Sequence, residues 1–241
     1  MAVLCLWSGP RNISTAMMRS FGSRADTTCW DEPFFAPFLT LTSLDHPGRA
    51  ETLAACETDP DAVAERVLAP VPTPHHFQKH MAHHMVDGIP REWIASARHV
   101  LILRHPAHVI ASYAKGRAAF DATDLGFAAL RDIHADIEAK TGRAPLVMET
   151  DDVLAATEAA LRLICEVGFG IAFDHAMLSW QAGPRDEDGP WAPYWYDNVR
   201  ASTGFARPRD ARPGVAPEHA AIYEDCLEDY AALRALCHSR N

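Results

Sequence analysis

Long apolar runs are missing from this sequence. The opening run, Ala2–Trp7, falls far short of the roughly 20 residues a membrane-spanning helix needs, and no basic segment precedes it. Neither a membrane partner nor a secretion signal is expected, and the protein reads as cytoplasmic. Cationic excess is missing too: 22 Lys and Arg stand against 32 Asp and Glu, a formal charge of −10. A nucleic-acid face needs clustered Lys and Arg, so nucleic acid is not an expected partner. A small anion is still acceptable, because a few local donors in a closed pocket outweigh a distant net charge. The six cysteines (Cys5, Cys29, Cys56, Cys165, Cys226, Cys237) form no CxxC pair and no framework spacing, so reduced, mostly buried thiols are expected. Internal repeats and low-complexity tracts are absent, which removes solenoid and disordered architectures.

What remains is a chain of 241 residues, 48% hydrophobic, large enough to bury a core as one α/β domain spanning 1–241. Its most informative stretch is Ala2–Ser20. An apolar run fits a buried strand, Ser8-Gly9-Pro10 breaks it, and Ser14-Thr15 is placed to cap a helix carrying Met17 and Met18 inward. Strand, tight loop and helix aim free backbone N–H groups and a positive dipole end at a phosphate. Arg11 inside the loop and Ser14 and Thr15 at its rim add a cation and two hydroxyls. The nucleoside-triphosphatase pattern G-x-x-x-x-G-K-[ST] is not present, and no lysine occupies the loop. A second site of the same kind lies at His99–Lys115: an apolar strand, then Arg104, then a helix started by Pro106 that carries Ser112.

Between these sites, Asp26–Trp30 reads as a strand ending at Asp31-Glu32-Pro33. Ligands gather at the carboxyl ends of strands in open α/β sheets. If the first two strands are neighbours, Asp31 and Glu32 lie close to the opening loop. Asp31 would cap the next helix in a purely structural reading; in a functional one Glu32 is the general base for an acceptor hydroxyl or amine. Residues 34–72 read as a helical insertion whose Phe34, Phe35, Phe38, Leu39, Leu41 and Leu44 serve either core or an acceptor pocket. Thr73–Lys79 is a third strand, followed by His80, His83 and His84, whose i, i+3, i+4 spacing on a helix would put three imidazoles on one face. No glutamate follows His80, and no metal is expected. Helices are expected over Pro106–Ala119, Thr123–Thr141, from Asp152 or Thr150 (as cap) to Glu166, and over Glu218–Leu236, with a fifth strand at Leu146–Met148. Residues 181–217, rich in Gly, Pro, Trp and Tyr and without periodicity, read as a lid or binding loop.

Pro10-Arg11-Asn12-Ile13-Ser14-Thr15 resembles the P-K-S-G-T-T loop of sulfotransferases, which binds the 5′-phosphosulfate end of 3′-phosphoadenosine 5′-phosphosulfate (PAPS). Arg104–Ser112 resembles their second motif, R-x-P-x-x-x-x-x-S, whose arginine and serine hold the 3′-phosphate. Arginine replaces the loop lysine, and Ile13 stands where those enzymes usually have glycine. The wording SGPRNISTA, DEP and STGF is closer to a bacterial and plant branch of sulfotransferase-like proteins. The resemblance implies a three-layer α/β domain of the P-loop type with a mostly parallel five-stranded sheet, PAPS as co-substrate, and a small-molecule acceptor. It implies cofactor contacts from Arg11, Asn12, Ser14, Thr15, Arg104 and Ser112. Arg200, Ser202, Thr203 and Gly204 would contribute more from a C-terminal loop over the 3′-phosphate. Lys79-His80 resembles K-T-H-L-P, whose lysine contacts the transferring group and whose histidine is the base, although His80 falls one residue early. Candidate catalytic residues are therefore Glu32, Arg11, Lys79 and His80, with His83 a third choice of base. A P-loop kinase and a non-catalytic nucleotide-binding module of the same fold are the competing readings.

Overall fold

Apolar runs with aliphatic side chains on both faces demand cover on both sides, and the chain supplies it by alternating strands with helices. A computed structural model describes residues 1–117, 119–208 and 211–238. The strands are β1 (Ala2–Ser8), β2 (Thr27–Asp31), β3 (His75–Met81), β4 (Arg98–Leu103) and β5 (Leu146–Glu149). They form one sheet in the order β2-β3-β1-β4-β5, every pairing parallel. This is the expected P-loop-type architecture, with strand ends within two residues of their expected places.

The helices are α1 (Ser14–Gly22), α2 (Phe35–Thr42), α3 (Arg49–Ala55), α4 (Pro60–Val67), α5 (Pro106–Tyr113), α6 (Ala122–Leu125) and α7 (Phe127–Thr141). Then come α8 (Thr150–Ala155), α9 (Thr157–Leu163), α10 (Ala192–Trp195), α11 (Asp197–Arg200) and α12 (Ala220–Ala235). Several depart from expectation. Gly126, at φ 72°, splits the helix expected over 123–141 into α6 and α7. The helix started by Pro106 ends at Tyr113; Ala118 of its expected span lies outside the described residues, as do Arg209 and Asp210 of 181–217 and residues 239–241 of the expected domain. Neither Asp152 nor Thr150 caps α8: Glu149 holds the cap position without a side-chain bond, and the Thr150 hydroxyl donates instead to Asn12 Oδ1 at 2.8 Å.

The sheet divides the core in two. On one face Val3, Cys5, Trp7, Leu101 and Leu103 pack with α5, α7 and α12 through Val109, Ile110, Leu130, Ile133 and Leu233. On the other, Leu4, Leu6, Phe77, Val100 and Ile102 pack with Met17, Met18 and Phe21 of α1 and Leu161 of α9. A third cluster joins Phe35, Phe38 and Leu39 of α2 to Trp191, Ala192 and Tyr196. β1 and β2 are not neighbours, because β3 lies between them. β3 therefore supplies the side chain that links the opening loop's neighbourhood to Asp31 and Glu32.

Candidate active site

A cavity of about 320 Å³ opens at the carboxyl ends of the strands, between α1 and α5, a size usual for small-molecule sites. One end of it is lined by the turn from Pro10 to Ala16. Gly9 is required there, since a Cβ would stand 2.5 Å from the Leu125 carbonyl oxygen. Ser14 and Thr15 do not cap α1, as their spacing suggested; Ile13 occupies the cap position without a side-chain bond, and both hydroxyl residues lie in the first turn. The N–H groups at that end are thus left without a side-chain cap, and the surrounding turn lines the cavity.

Arg11 adopts a left-handed conformation, φ 57°, that costs a non-glycine residue about 1–2 kcal/mol. Two contacts hold it. Arg104 Nη1 donates to the Arg11 carbonyl at 2.7 Å, and Arg11 Nε donates to Ser112 Oγ at 3.0 Å. Arg11 and Arg104 both line the cavity with Ser14, Thr15 and Ser112, so the two separate motifs meet in one place. Burial lowers the Arg11 pKa, and its guanidinium lies 5.7 Å from the centre of the Trp195 ring. Asn12 also lines the cavity; it accepts the Thr150 hydroxyl and its Nδ2 lies 3.4 Å from the Gly9 carbonyl. His105 caps α5 by accepting from Ala107 N at 3.3 Å.

The other end holds a buried charge cluster. Lys79 Nζ donates to Asp31 Oδ1 at 2.8 Å, Glu32 Oε1 at 2.6 Å and Tyr196 Oη at 2.5 Å. An ammonium has three protons, and these contacts use all of them. Burial works against the lysine's charge, yet the Asp31 and Glu32 carboxylates carry its pKa well above the usual value. Glu32 is raised from the ordinary carboxylate range, chiefly by burial, with Lys79 opposing and Asp31 reinforcing the rise. Its backbone is left-handed at φ 42°, pinned by Glu32 N to the Lys79 carbonyl at 2.9 Å. Among the described residues, two of the three non-glycine residues with positive φ, Arg11 and Glu32, are thus at this cavity. Such outliers persist where surrounding contacts enforce them, and they cluster at functional sites.

His80 is not in the cavity. Side chains alternate along a strand, so Lys79 and Met81 face the cavity while His80 faces the opposite core. There it stacks on Trp7 at 4.5 Å and Trp93 at 5.3 Å and bonds Gln78 Oε1 at 3.1 Å. Burial holds its pKa well below that of free histidine. The three imidazoles of His80, His83 and His84 therefore share no face. His83 and His84 follow on a short 3₁₀ turn and do line the cavity; burial lowers His83 to about 3 and His84 well below its ordinary value. His84 Nε2 lies 4.0 Å from Glu32 Oε2. With Phe35, His46, Trp191 and Trp195 these neutral imidazoles wall the cavity beside the charge cluster.

Of the C-terminal residues, Ser202 and Gly204 line the cavity and Arg200 and Thr203 do not. Arg200 turns to Asp188 (3.5 Å), while the Thr203 carbonyl accepts Trp180 N. Among the described residues, this segment brings the cation of Arg207 to the cavity, three residues beyond Gly204. Sequence reasoning also missed Tyr196, and Asp151 and Leu154 at the start of α8, which line the cavity although that unit read as scaffold. Only the aromatic richness of 181–217 hinted at Tyr196. Among the described residues no group of three or more His, Cys, Asp or Glu side chains is arranged to hold a metal, and no helix is long and apolar enough to cross a membrane.

A parallel sheet of this order, with a tight turn leading from its central strand into a helix, defines a P-loop-type α/β protein. The chain belongs to the sulfotransferase domain family, which it matches over residues 1–237. It is 34% identical over 242 residues to branched-chain-amino-acid aminotransferase-like protein 2 of Arabidopsis thaliana, and 34% identical over 234 residues to protein 1 of that name. It spans 42% of the length of each. Its fold is similar to the sulfotransferase domain of a Synechococcus olefin synthase (TM-score 0.60, 17% identity, 100% of this chain and 96% of that one). A sulfotransferase domain of the curacin biosynthetic pathway follows (0.58, 12%, 97% of each). A mouse sulfotransferase complexed with PAP shares the fold at 0.51 and 11%, over 98% of this chain and 90% of that one.

Proposed function

We propose that this chain transfers a sulfuryl group from PAPS to a hydroxyl or amine of a small acceptor. The observation that carries the reading is the meeting of two anion-binding motifs in one cavity whose far end presents a carboxylate. Arg11, Asn12, Ser14, Thr15 and the N–H groups at the start of α1 are suited to the 5′-phosphosulfate; Arg104 and Ser112, with Ser202, Gly204 and Arg207, are suited to the 3′-phosphate. Glu32 takes the acceptor's proton as the acceptor oxygen or nitrogen bonds to sulfur and the bond from sulfur to the 5′-phosphate oxygen breaks, leaving 3′,5′-diphosphoadenosine (PAP). Arg11 offsets charge on the transferring group. Lys79, with its protons committed to Asp31, Glu32 and Tyr196, acts through Glu32 by holding one carboxylate oxygen. The aromatic rings and neutral imidazoles along the acceptor side favour an uncharged small molecule over an anionic one.

A melting curve in EDTA tests this most directly, since a ligand bound only to the native state raises the midpoint. Saturating PAP is expected to raise it without added metal. A midpoint that stays put with PAP and rises with ATP and magnesium would transfer the site to a phosphoryl-transfer reading.

A further inference from the structure

Tyr196 comes from the junction of α10 and α11, in a segment whose residues carried no expected chemistry at this end of the cavity. Its side chain is buried and its hydroxyl is saturated. It accepts from Lys79 Nζ at 2.5 Å and from Trp191 Nε1 at 3.1 Å, and donates to Asp31 Oδ2 at 2.7 Å, with Glu32 Oε1 a further 3.4 Å neighbour. One proton and two lone pairs are all that a phenol offers. We propose that Tyr196 is a positioning residue for Glu32, fixing Lys79 and Asp31 so that one carboxylate oxygen is held and the other is left to the acceptor. This rests on Glu32 being the base.

The geometry runs as a chain of commitments. Lys79 can hold Glu32 Oε1 in one place only if its other two protons are fixed, and Asp31 Oδ1 and the Tyr196 hydroxyl fix them. Asp31 in turn is fixed by the same hydroxyl and by Gly189 N at 3.2 Å. Glu32 Oε2 is then the oxygen turned toward His84, whose Nε2 is 4.0 Å away. A hydroxyl oxygen placed between two atoms that far apart can reach both at hydrogen-bond length, roughly 2.8 Å. Without the Tyr196 hydroxyl, one Lys79 proton and Trp191 Nε1 lose their partner and Asp31 Oδ2 keeps only Gly189 N, so the lysine is free to turn from Glu32.

The segment does not depend on that hydroxyl for its position. Arg19 of α1 holds Asp188 at 2.6 Å, Tyr194 donates to Glu51 at 2.9 Å, and the Tyr196 ring packs with Phe35, Leu39 and Trp191. Tyr196→Phe therefore keeps the ring, its packing and these anchors.

The titratable groups facing Glu32 are Asp31 from β2, Lys79 from β3, His84 from the turn after β3, and Tyr196. Burial holds the His84 pKa well below that of free histidine, so the glutamate carboxyl is the group to follow in this cluster. The experiment is a ¹³C NMR titration of glutamate side-chain carboxyls in the PAP-loaded protein, with the Glu32 signal assigned by its loss in Glu32→Gln. In Tyr196→Phe the Glu32 midpoint is expected to rise by about half to one pH unit, with PAP affinity within about twofold because no nucleotide contact is touched. With an acceptor in hand, kcat should fall about tenfold, the scale of one hydrogen bond to a charged group, and the acid limb of its pH profile should move up with the NMR midpoint. A loss of packing alone would lower the melting point and leave the midpoint in place. An unmoved Glu32 midpoint in a folded, PAP-binding Tyr196→Phe protein overturns this proposal alone. Normal turnover by Glu32→Gln overturns it together with the assignment of the base.

Discussion

Lys79 and His80 are neighbours on β3, both almost fully buried and both titratable, yet they end on opposite faces of the sheet with opposite solutions to burial. A charge removed from water must be paired or given up. Lys79 is paired: two carboxylates and a phenol keep it an ammonium. His80 has given its charge up and lies as a neutral ring against Trp7 and Trp93. The difference shows that residue type does not assign a buried group its role. The face decides, because one face meets the cavity and the other meets the second core layer.

Five substitutions and conditions test that contrast, in descending order of effect. Lys79→Met strands two carboxylates in a closed site and should cost about 3–5 kcal/mol of stability, read as a lower denaturant midpoint; a cost under about 1 kcal/mol would mean that the cluster is open to water. Glu32→Gln should lower turnover by about a hundredfold or more while PAP binding changes little, measured by acceptor kinetics beside calorimetry. Retained turnover would hand the proton to His84 or His83. Arg104→Ala should weaken PAP by about tenfold to a hundredfold. AMP, lacking the 3′-phosphate, should lose much less, and equal losses would mean Arg104 serves only to hold the Arg11 carbonyl.

The smaller effects belong to the other face. Burial pushes His76, His99 and His105 down to about 4. Their folded pKa values lie below the unfolded value of about 6.5, so the unfolded chain binds more protons in acid. The stability these neutral rings contribute is present above about pH 6.5 and is lost as pH falls toward 4, each at up to about 1.4 kcal/mol per pH unit. Melting points from pH 7 to 4.5 should fall steadily, and a flat profile would show the rings are solvated. Last, His80→Phe keeps a ring against Trp7 and Trp93, so turnover should stay within about threefold while stability shifts by about 1 kcal/mol or less. A dead but folded His80→Phe enzyme would return catalysis to that residue.

Local chemistry carried much of this protein in its sequence. Strand, breaker and helix at Ala2–Ser20 and again at His99–Ser112 lie within contiguous stretches, so period and turn residues declare them, and the parallel alternation of strands and helices follows. Arg11, Arg104, Glu32 and Lys79 could be picked out because each sits at or near the end of a run that reads as a strand, and Ser14 and Ser112 because they stand in the helices that follow two of those runs. Three things were beyond that reach. The insertion of β3 between β1 and β2 is a matter of long-range pairing, which no local pattern specifies. The inward or outward sense of Lys79 against His80 depends on register, where a shift of one residue reverses every side chain. Tyr196 lies 117 residues from Lys79 in a stretch with no period, and only the packing of α10 and α11 on α2 brings its hydroxyl to the lysine. Contiguous motifs declare which groups can bind an anion; the closing of the chain on itself decides which buried charges are paired, because a partner that neutralises a charge can come from anywhere in the sequence.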